Sequence, residues 1–193
     1  MSIIVPCGYN VLRLLSIDPS STCVGVSRFL ADNKTNKIID IQSGTINLDS
    51  YNYDTMLLNE IHGDKNIRLI KLEHKMEELI NNIQPDVVVC ESAFFNPSRP
   101  NAFASLTEVI WLLRRLTINY NPYIRFVTLP PKTIKEAIGS MKITDKGKDP
   151  VKEAIVKIPE VYNLIHKFID SLDNHAIDSV AIGYTFFKKY GDY

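Results

Sequence analysis

The sequence predicts an α/β fold on a mixed five-stranded sheet, because three strands follow one another and two more alternate with helices. The first three strands are the apolar runs at 11–18, 22–30 and 37–48. Short linkers rich in turn residues separate these runs, which favours an antiparallel meander. The other two strands, 85–91 and 124–130, lie on either side of a helical segment. A helix between two strands favours a parallel pair joined by a right-handed crossover.

Helices are predicted where apolar residues recur every three or four positions. This spacing predicts helices at 67–83, 101–120 and 173–190. Two further helices, 131–141 and one from about residue 151, are predicted after the fifth strand. Together with the strands they give the layout of a ribonuclease H-like fold, a sheet flanked by helices.

Two segments have a weaker pattern. The stretch 49–66 is polar and is predicted to be a mobile loop. The segment 158–172 is compatible with either a helix or a packed loop.

Length and composition indicate a globular chain with one core. The chain has 193 residues, 45% of them hydrophobic and 23% charged, so we expect a single domain over 1–193. Cys7, Cys23 and Cys90 have no CxxC spacing and are expected to be reduced thiols of a cytoplasmic protein. The start lacks a basic region, and no apolar run is long enough to cross a membrane, so we expect neither a signal peptide nor a membrane partner.

Charge is unevenly distributed along a chain whose net charge is zero, with 22 basic and 22 acidic residues. Between Arg125 and Lys157 there are eight basic and four acidic residues, an excess of +4. Phosphate-binding proteins usually carry such a basic region. A solvated helical surface is the alternative interpretation.

Four polar residues lie where apolar elements begin or end. Asp18 ends the first strand, Glu91 ends the fourth, and His175 and Asp178 lie near the start of the last helix. A carboxylate at the end of a buried strand is costly unless a cation or a partner compensates its charge. Residues three apart on a helix share a face, so His175 and Asp178 can act on the same ligand. We therefore predict a metal site.

Hydrolysis of a phosphodiester needs an activated water, charge stabilisation at phosphorus and help for the leaving oxygen, all of which two divalent ions supply. Mg²⁺ prefers carboxylate oxygens, and Asp18, on the central strand, is the candidate to bridge two ions. A neutral His175 lowers the negative charge of the site and favours tolerance of Mn²⁺. The alternatives are a turn-forming Asp18, a strand-end Glu91 and a surface His175. Asp173 or Asn174 is expected to cap the last helix.

Four motifs carry a resemblance to the RuvC-type Holliday junction resolvases over about residues 11 to 190. They are LLSIDPSSTCVGVS at 14–27, VVVCESAFFNPS at 87–98, LPPKTIKEAIGS at 129–140 and DNHAIDSVAIGY at 173–184. These resemble, in order, the first strand and turn of that family, its Glu-x-x-Phe segment, its proline–lysine helix start and its closing helix. Ser20, which replaces the usual glycine, is typical of a divergent member, such as one from a phage or virus.

The resemblance implies a homodimeric, Mg²⁺-dependent endonuclease that cuts four-way and other branched DNA by paired symmetric nicks, in the cytoplasm of a bacterium or an infected host cell. It implies catalytic roles for Lys135 and Lys148, with Lys146 as a rival of the latter, and base stacking by Phe94. The DNA-binding candidates are Phe94, Phe95, Lys132, Lys135, Lys142, Lys146 and Lys148. For the aromatics the alternative is core packing, and for the lysines it is solvation. The helix containing residues 110–113 is apolar on more than one side and is the candidate dimer contact, although a buried core helix would look the same.

Two other functions fit part of the pattern. An Asp on a first strand followed by a Ser/Thr/Gly turn also opens the actin-like and sugar-kinase ATPases, but no second Asp-x-Gly strand is present here. A junction-binding protein without catalysis would not need all four candidate ligands.

Overall fold

The strands of the chain form one mixed sheet. The computed structural model describes residues 11–49, 53–95, 97–98, 100–142 and 149–190, with side chains except those of 53–55 and 142. The strands are β1 Val11–Asp18, β2 Cys23–Asp32, β3 Ile38–Asn47, β4 Val87–Glu91 and β5 Arg125–Leu129. Their spatial order is β3-β2-β1-β4-β5. The β1–β2 and β2–β3 pairs are antiparallel, whereas β1–β4 and β4–β5 are parallel. The predicted five-stranded fold is confirmed.

Four of the helices in the described residues begin at a proline. They are α1 Tyr53–His62, α2 Asp64–Ile83, α3 Pro100–Tyr120, α4 Pro131–Ile138, α5 Pro150–Val156, α6 Pro159–Ile165 and α7 Asn174–Tyr190, with 3-10 turns at Ser140–Lys142 and Ile169–Ser171. Proline opens α3, α4, α5 and α6 because its ring fixes a helical φ where no amide donor is needed. Within the described residues, no helix is long and apolar enough to cross a membrane.

Two apolar cores lie on opposite faces of the sheet, because alternate side chains of a strand point to opposite sides. Leu15 and Ile17 of β1 pack with residues of α2 and α3. Leu12 and Leu14 of β1 pack on the other side, with residues of α4, α5, α6 and α7. The last helix, α7, crosses this second face in contact with β1, β2, β3 and β4.

The prediction of a loop at 49–66 is wrong for its described part. Residues 53–62 form α1, and α2 already begins at Asp64. Apolar side chains of α1, among them Met56, Leu57 and Ile61, are more than half exposed. Because α1 buries no continuous apolar stripe, its sequence lacks the helical period that would have revealed it. The undecided segment 158–172 contains α6 and a 3-10 turn, with Val161 and Ile165 fully buried.

Candidate active site

Asp18 and Glu91 lie side by side at one end of the sheet. The parallel pairing of β1 with β4 places Ile17 opposite Cys90, so both strands end at these carboxylates. In β1 the residues two and four before Asp18 are Ser16 and Leu14, both on the face that α7 covers. In β4, Glu91 lies two residues after Val89, whose side chain packs in the same apolar core as Leu14. Strand alternation therefore turns both carboxylates toward α7.

The first turn of α7 lies directly on β2 beside Asp18. Gly25 is the cross-strand partner of Asp18, and a Cβ atom on Gly25 would sit 1.9 Å from the carbonyl oxygen of His175. Only glycine permits this approach of helix backbone to strand backbone. His175 Nδ1 consequently lies 2.7 Å from Asp18 Oδ2, a hydrogen bond between residues 157 positions apart. The side chains of His175 and Asp18 are therefore in direct contact, and one ring nitrogen of His175 is engaged by the carboxylate.

Burial dominates the electrostatics of Asp18, which is only 7% exposed. Removal from water raises the pKa of this carboxyl above its ordinary value. The hydrogen bond and positive potential of His175 act in the opposite direction, whereas the nearby Asp173 adds to the rise. The negative charge at Asp18 is therefore only partly compensated by the chain itself.

Glu91 and Asp178 form the other half of the site. Burial, followed by the charges of Asp18 and Asp178, raises the pKa of Glu91 to about 7. Burial, followed by the charges of Asp18 and Asp149, raises the pKa of Asp178 to about 7. Burial and the charge of Asp18 thus disfavour the ionised forms of Glu91 and Asp178, and the cationic Lys135 offsets this only in part.

A cleft of about 610 Å³ opens beside these carboxylates. Its lining includes Glu91 and Asp178 from the carboxylate group, the first turns of α4 and α5, and the loop after β4. The polar and aromatic residues that line it are Glu91, Phe94, Lys132, Lys135, Asp149, Asn174 and Asp178. Acidic groups at the sheet end and lysines on α4 therefore face one space, as a site for a metal-bound phosphate requires.

The other predicted residues have mixed outcomes. Phe94 and Phe95 are 59% and 61% exposed, so neither packs in the core, and Phe95 contacts the edge of Phe103 with ring centroids 5.7 Å apart. Asp173 caps α7 by accepting a hydrogen bond from the amide of Ala176 at 2.9 Å, as expected. Lys146, Lys148 and the side chain of Lys142 lie outside the described residues.

Asp149 is a residue of the cleft that the sequence did not single out. Its Oδ1 accepts hydrogen bonds from the amides of Val151 and Lys152, so Asp149 caps α5. The Asp-Pro pair at 149–150 signals a helix start. Nothing local in the sequence, however, indicates that this helix start lies beside Asp178.

The donor chemistry of the site fits a divalent cation. In the described part of the chain, no three His, Cys, Asp or Glu side chains converge closely enough to surround an ion in their present positions. Asp18, Glu91 and Asp178 nevertheless supply hard oxygen donors whose mutual repulsion a cation would relieve.

The raised pKa values predict how stability varies with pH. The ordinary pKa values of Glu91 and Asp178 are 4.5 and 3.8, and in the folded chain the pKa of each is about 7. Between the ordinary and the folded values, the folded chain binds more protons than the unfolded chain. The free energy of unfolding should therefore fall as pH rises across this window, in the absence of divalent ions. Urea unfolding from pH 5 to pH 8 measures this slope, and Glu91→Gln should flatten it.

Glu78→Gln is the control for that measurement, because the Glu78 side chain is 65% exposed on α2. It should keep the wild-type slope. Parallel profiles for wild type and Glu91→Gln would contradict the proposed repulsion among the buried carboxyl groups.

Solved structures of Holliday junction resolvases share this fold. RuvC of Thermus thermophilus in complex with a Holliday junction substrate has 14% sequence identity and a TM-score of 0.59, over 93% of this chain and 96% of that chain. The yeast mitochondrial Holliday junction resolvase has 14% identity and a TM-score of 0.59, over 95% of this chain and 80% of that chain. The fowlpox virus Holliday junction resolvase has 15% identity and a TM-score of 0.52, over 92% and 99%.

No family model and no curated protein matches the chain. The resemblance to RuvC-type resolvases seen in the motifs is thus confirmed in the fold, which extends over more than nine-tenths of the chain. At these identities the likeness is one of architecture.

Proposed function

We propose that this protein is a metal-dependent endonuclease that resolves four-way DNA junctions by paired symmetric nicks. The observation that carries the proposal is that Asp18, at the end of β1, lies near enough to Glu91 and Asp178 to raise the pKa of both, beside a cleft that Lys135 also lines. The fold is that of proteins described as Holliday junction resolvases. Glu91 and Asp178 face a cleft that Lys132 and Lys135 also line, and Asp18 is buried beside them. Acidic groups in such surroundings lower structural stability and are typical of functional sites.

Asp18, Glu91 and Asp178 would hold two Mg²⁺ ions, with His175 as the fourth ligand candidate and Mn²⁺ as a tolerated substitute. When bound, such ions activate a water and stabilise the charge that develops on the phosphate. The chain itself contributes orientation. His175 holds one carboxylate oxygen of Asp18 by a 2.7 Å hydrogen bond.

Lys135 supplies positive charge to the same space. Its ammonium group lowers the pKa of both Glu91 and Asp178, so it acts on both carboxylates across the cleft. A cation in this position would favour a bound phosphate and offset charge on the leaving oxygen. Lys148, or alternatively Lys146, would supply a second catalytic lysine.

The cleft mouth suits branched DNA. Lys132 lines the cleft with Lys135, and Phe94 presents an exposed ring able to stack on an unpaired base. Phe95, Lys142, Lys146 and Lys148 are further proposed DNA contacts. Since the net charge of the chain is zero, binding should depend on this local patch and weaken steeply with salt.

We further propose that two copies associate through the α2–α3 surface. A groove of about 740 Å³ between these helices is lined by Leu69, Ile70, Trp111 and Leu112 among others. Leu113 is fully buried, whereas Trp111 is 60% exposed, so α3 has both a core face and an outward face that carries an exposed aromatic ring. A two-fold dimer would give the paired sites that a two-fold junction needs.

Light scattering tests the dimer. Wild type should have twice the mass of a 21.9 kDa chain, and Trp111→Glu should shift the mass toward one chain, because a charge would be buried in the interface. Tyr123→Glu is the matched control, since Tyr123 is 92% exposed elsewhere. A monomeric wild type, or an unaffected Trp111→Glu variant, would exclude this interface.

Incubation with labelled DNA tests the proposed function. A four-way junction with Mg²⁺ should be converted to nicked duplexes cut at symmetric positions in two strands of like polarity, and EDTA should abolish cutting. Linear duplex of the same sequence should remain intact. Binding without cutting in Mg²⁺ and in Mn²⁺ would favour the non-catalytic junction binder, and ATP hydrolysis without DNA cutting would favour the kinase-like alternative.

We also propose that residues 1–193 form one nuclease domain, which acts in the cytoplasm of a bacterium or an infected host cell. The described Cys23 and Cys90 form no disulfide, which is compatible with a reducing compartment. Cys7 lies outside the described residues.

A further inference from the structure

A row of serines lies under the first two turns of α7. Ser16, Ser27 and Ser43 stand directly opposite one another on β1, β2 and β3. Ser16 and Ser27 are 0% and 1% exposed, on a sheet face that is otherwise packed with apolar side chains. Polar groups in such a place are retained only when they are hydrogen-bonded.

The hydroxyl groups of this serine row bond to the backbone and side chains of α7. Ser43 Oγ donates to the carbonyl oxygen of Ala176 at 2.9 Å, and Ser16 Oγ donates to that of Ser179 at 2.8 Å. Ser27 Oγ lies 2.8 Å from Ser43 Oγ and 2.6 Å from Ser179 Oγ, which connects the two contacts. The two helix carbonyls belong to residues immediately around Asp178.

Two residues nearer to the end of the sheet, a second row of cross-strand neighbours contacts the beginning of α7. Asp18, Gly25 and Thr45 are neighbours on β1, β2 and β3. Gly25 admits the His175 backbone, and Thr45 Oγ1 donates to Asp173 Oδ1 at 2.5 Å. That same carboxylate oxygen caps the helix, so the cap is tied to the sheet.

These bonds restrict the motion that apolar packing allows. Apolar contacts such as those of Val180 and Ala181 with the sheet have no preferred direction. A hydrogen bond weakens steeply when its distance or angle changes. A shift of α7 by a fraction of a turn would break the serine contacts together and leave buried hydroxyl groups unpaired.

We propose that Ser27 and Ser43 are positioning residues that fix the axial position of α7, and thereby hold His175 and Asp178 at the proper distance from Asp18 and Glu91. The inference rests on the proposed metal-dependent function. Neither serine touches the cleft, so each acts through α7 and not on DNA or an ion.

Metal binding distinguishes positioning from plain stabilisation. In thermal unfolding, the Mn²⁺ concentration that gives half of the maximal rise in melting temperature should increase on the order of tenfold in Ser27→Ala and Ser43→Ala, the usual scale for loss of a group that orients metal ligands. Ser43→Thr keeps a hydroxyl and should restore the wild-type midpoint. The less buried Ser43 position provides a variant that folds if Ser27→Ala does not.

Thr185→Val is the matched control. Thr185 is a fully buried residue of α7 whose Oγ1 bonds only to the carbonyl of Ala181 in the same helix, at 2.7 Å. This variant should lose stability and keep the wild-type Mn²⁺ midpoint. If wild type responds to Mn²⁺ and the serine variants keep its midpoint, the positioning role is overturned while the metal site stands. If wild type itself shows no response to Mn²⁺, the proposed function fails and the inference fails with it.

Discussion

Replacement of Asp18 by asparagine is expected to lower the rate of junction cutting on the order of a thousandfold, the scale of removing one group from a preorganised charged site. The amide is nearly isosteric, so the fold and the contact with His175 should persist. Because burial already disfavours the ionised carboxyl group of Asp18, a neutral amide should leave the free energy of unfolding equal to or above the wild-type value. Single-turnover cutting and urea unfolding, measured side by side, test both halves of this expectation.

Asp170→Asn is the control for Asp18→Asn. The Asp170 side chain is 94% exposed and pairs with Lys152 at the surface, so the variant removes the same charge from a residue that does not line the cleft. It should cut junctions at the wild-type rate. Full activity in Asp18→Asn would remove the foundation of the proposed nuclease, whereas loss of activity together with unfolding would show only that the fold had failed.

Replacement of Gly25 by alanine should displace the first turn of α7. The added Cβ would meet the carbonyl oxygen and carbon of His175 at 1.9 and 2.4 Å, and backbone atoms cannot move aside as a side chain would. Overpacking of this kind costs about 1–3 kcal/mol or more, equivalent to a fall of roughly 2–4 °C in melting temperature per kcal/mol for a chain of this size. Junction cutting should fall further than stability does, because His175 moves away from Asp18.

Gly44→Ala is the comparison for Gly25→Ala. Gly44 lies on the adjacent strand β3, and a Cβ there would have no atom within 4 Å. Its melting temperature and activity should stay close to wild type. Equal behaviour of the two variants would show that the close approach at Gly25 does not constrain α7.

The sheet and the acidic residues of the site could be predicted because each leaves a local pattern. Apolar runs define β1 and β4, and the carboxylate at the end of each run is visible without knowledge of any partner. Asp18 and Glu91 then meet because the two strands are parallel neighbours, a consequence of the predicted topology. His175 and Asp178 follow from helical spacing.

The supporting contacts could not be predicted, because they depend on register across several strands. Ser16, Ser27 and Ser43 are ordinary polar residues in the sequence, and only the pairing of β1, β2 and β3 aligns them. Asp149 has a visible role as a helix cap, but its position beside Asp178 depends on how α5 packs against α7. The helix α1 was missed because burial, which gives helices their sequence period, is small there.

The hydrogen bond between Asp18 and His175 joins the first strand to the last helix, 157 residues apart. During synthesis on the ribosome, β1 and β4 emerge long before α7, so a nascent chain carries Asp18 and Glu91 without His175 or Asp178. Contacts of such long sequence separation form late, because loop closure must be completed first. If the chain is the proposed nuclease, a growing or prematurely terminated chain would therefore be unable to cut DNA, and activity would arise only when α7 docks.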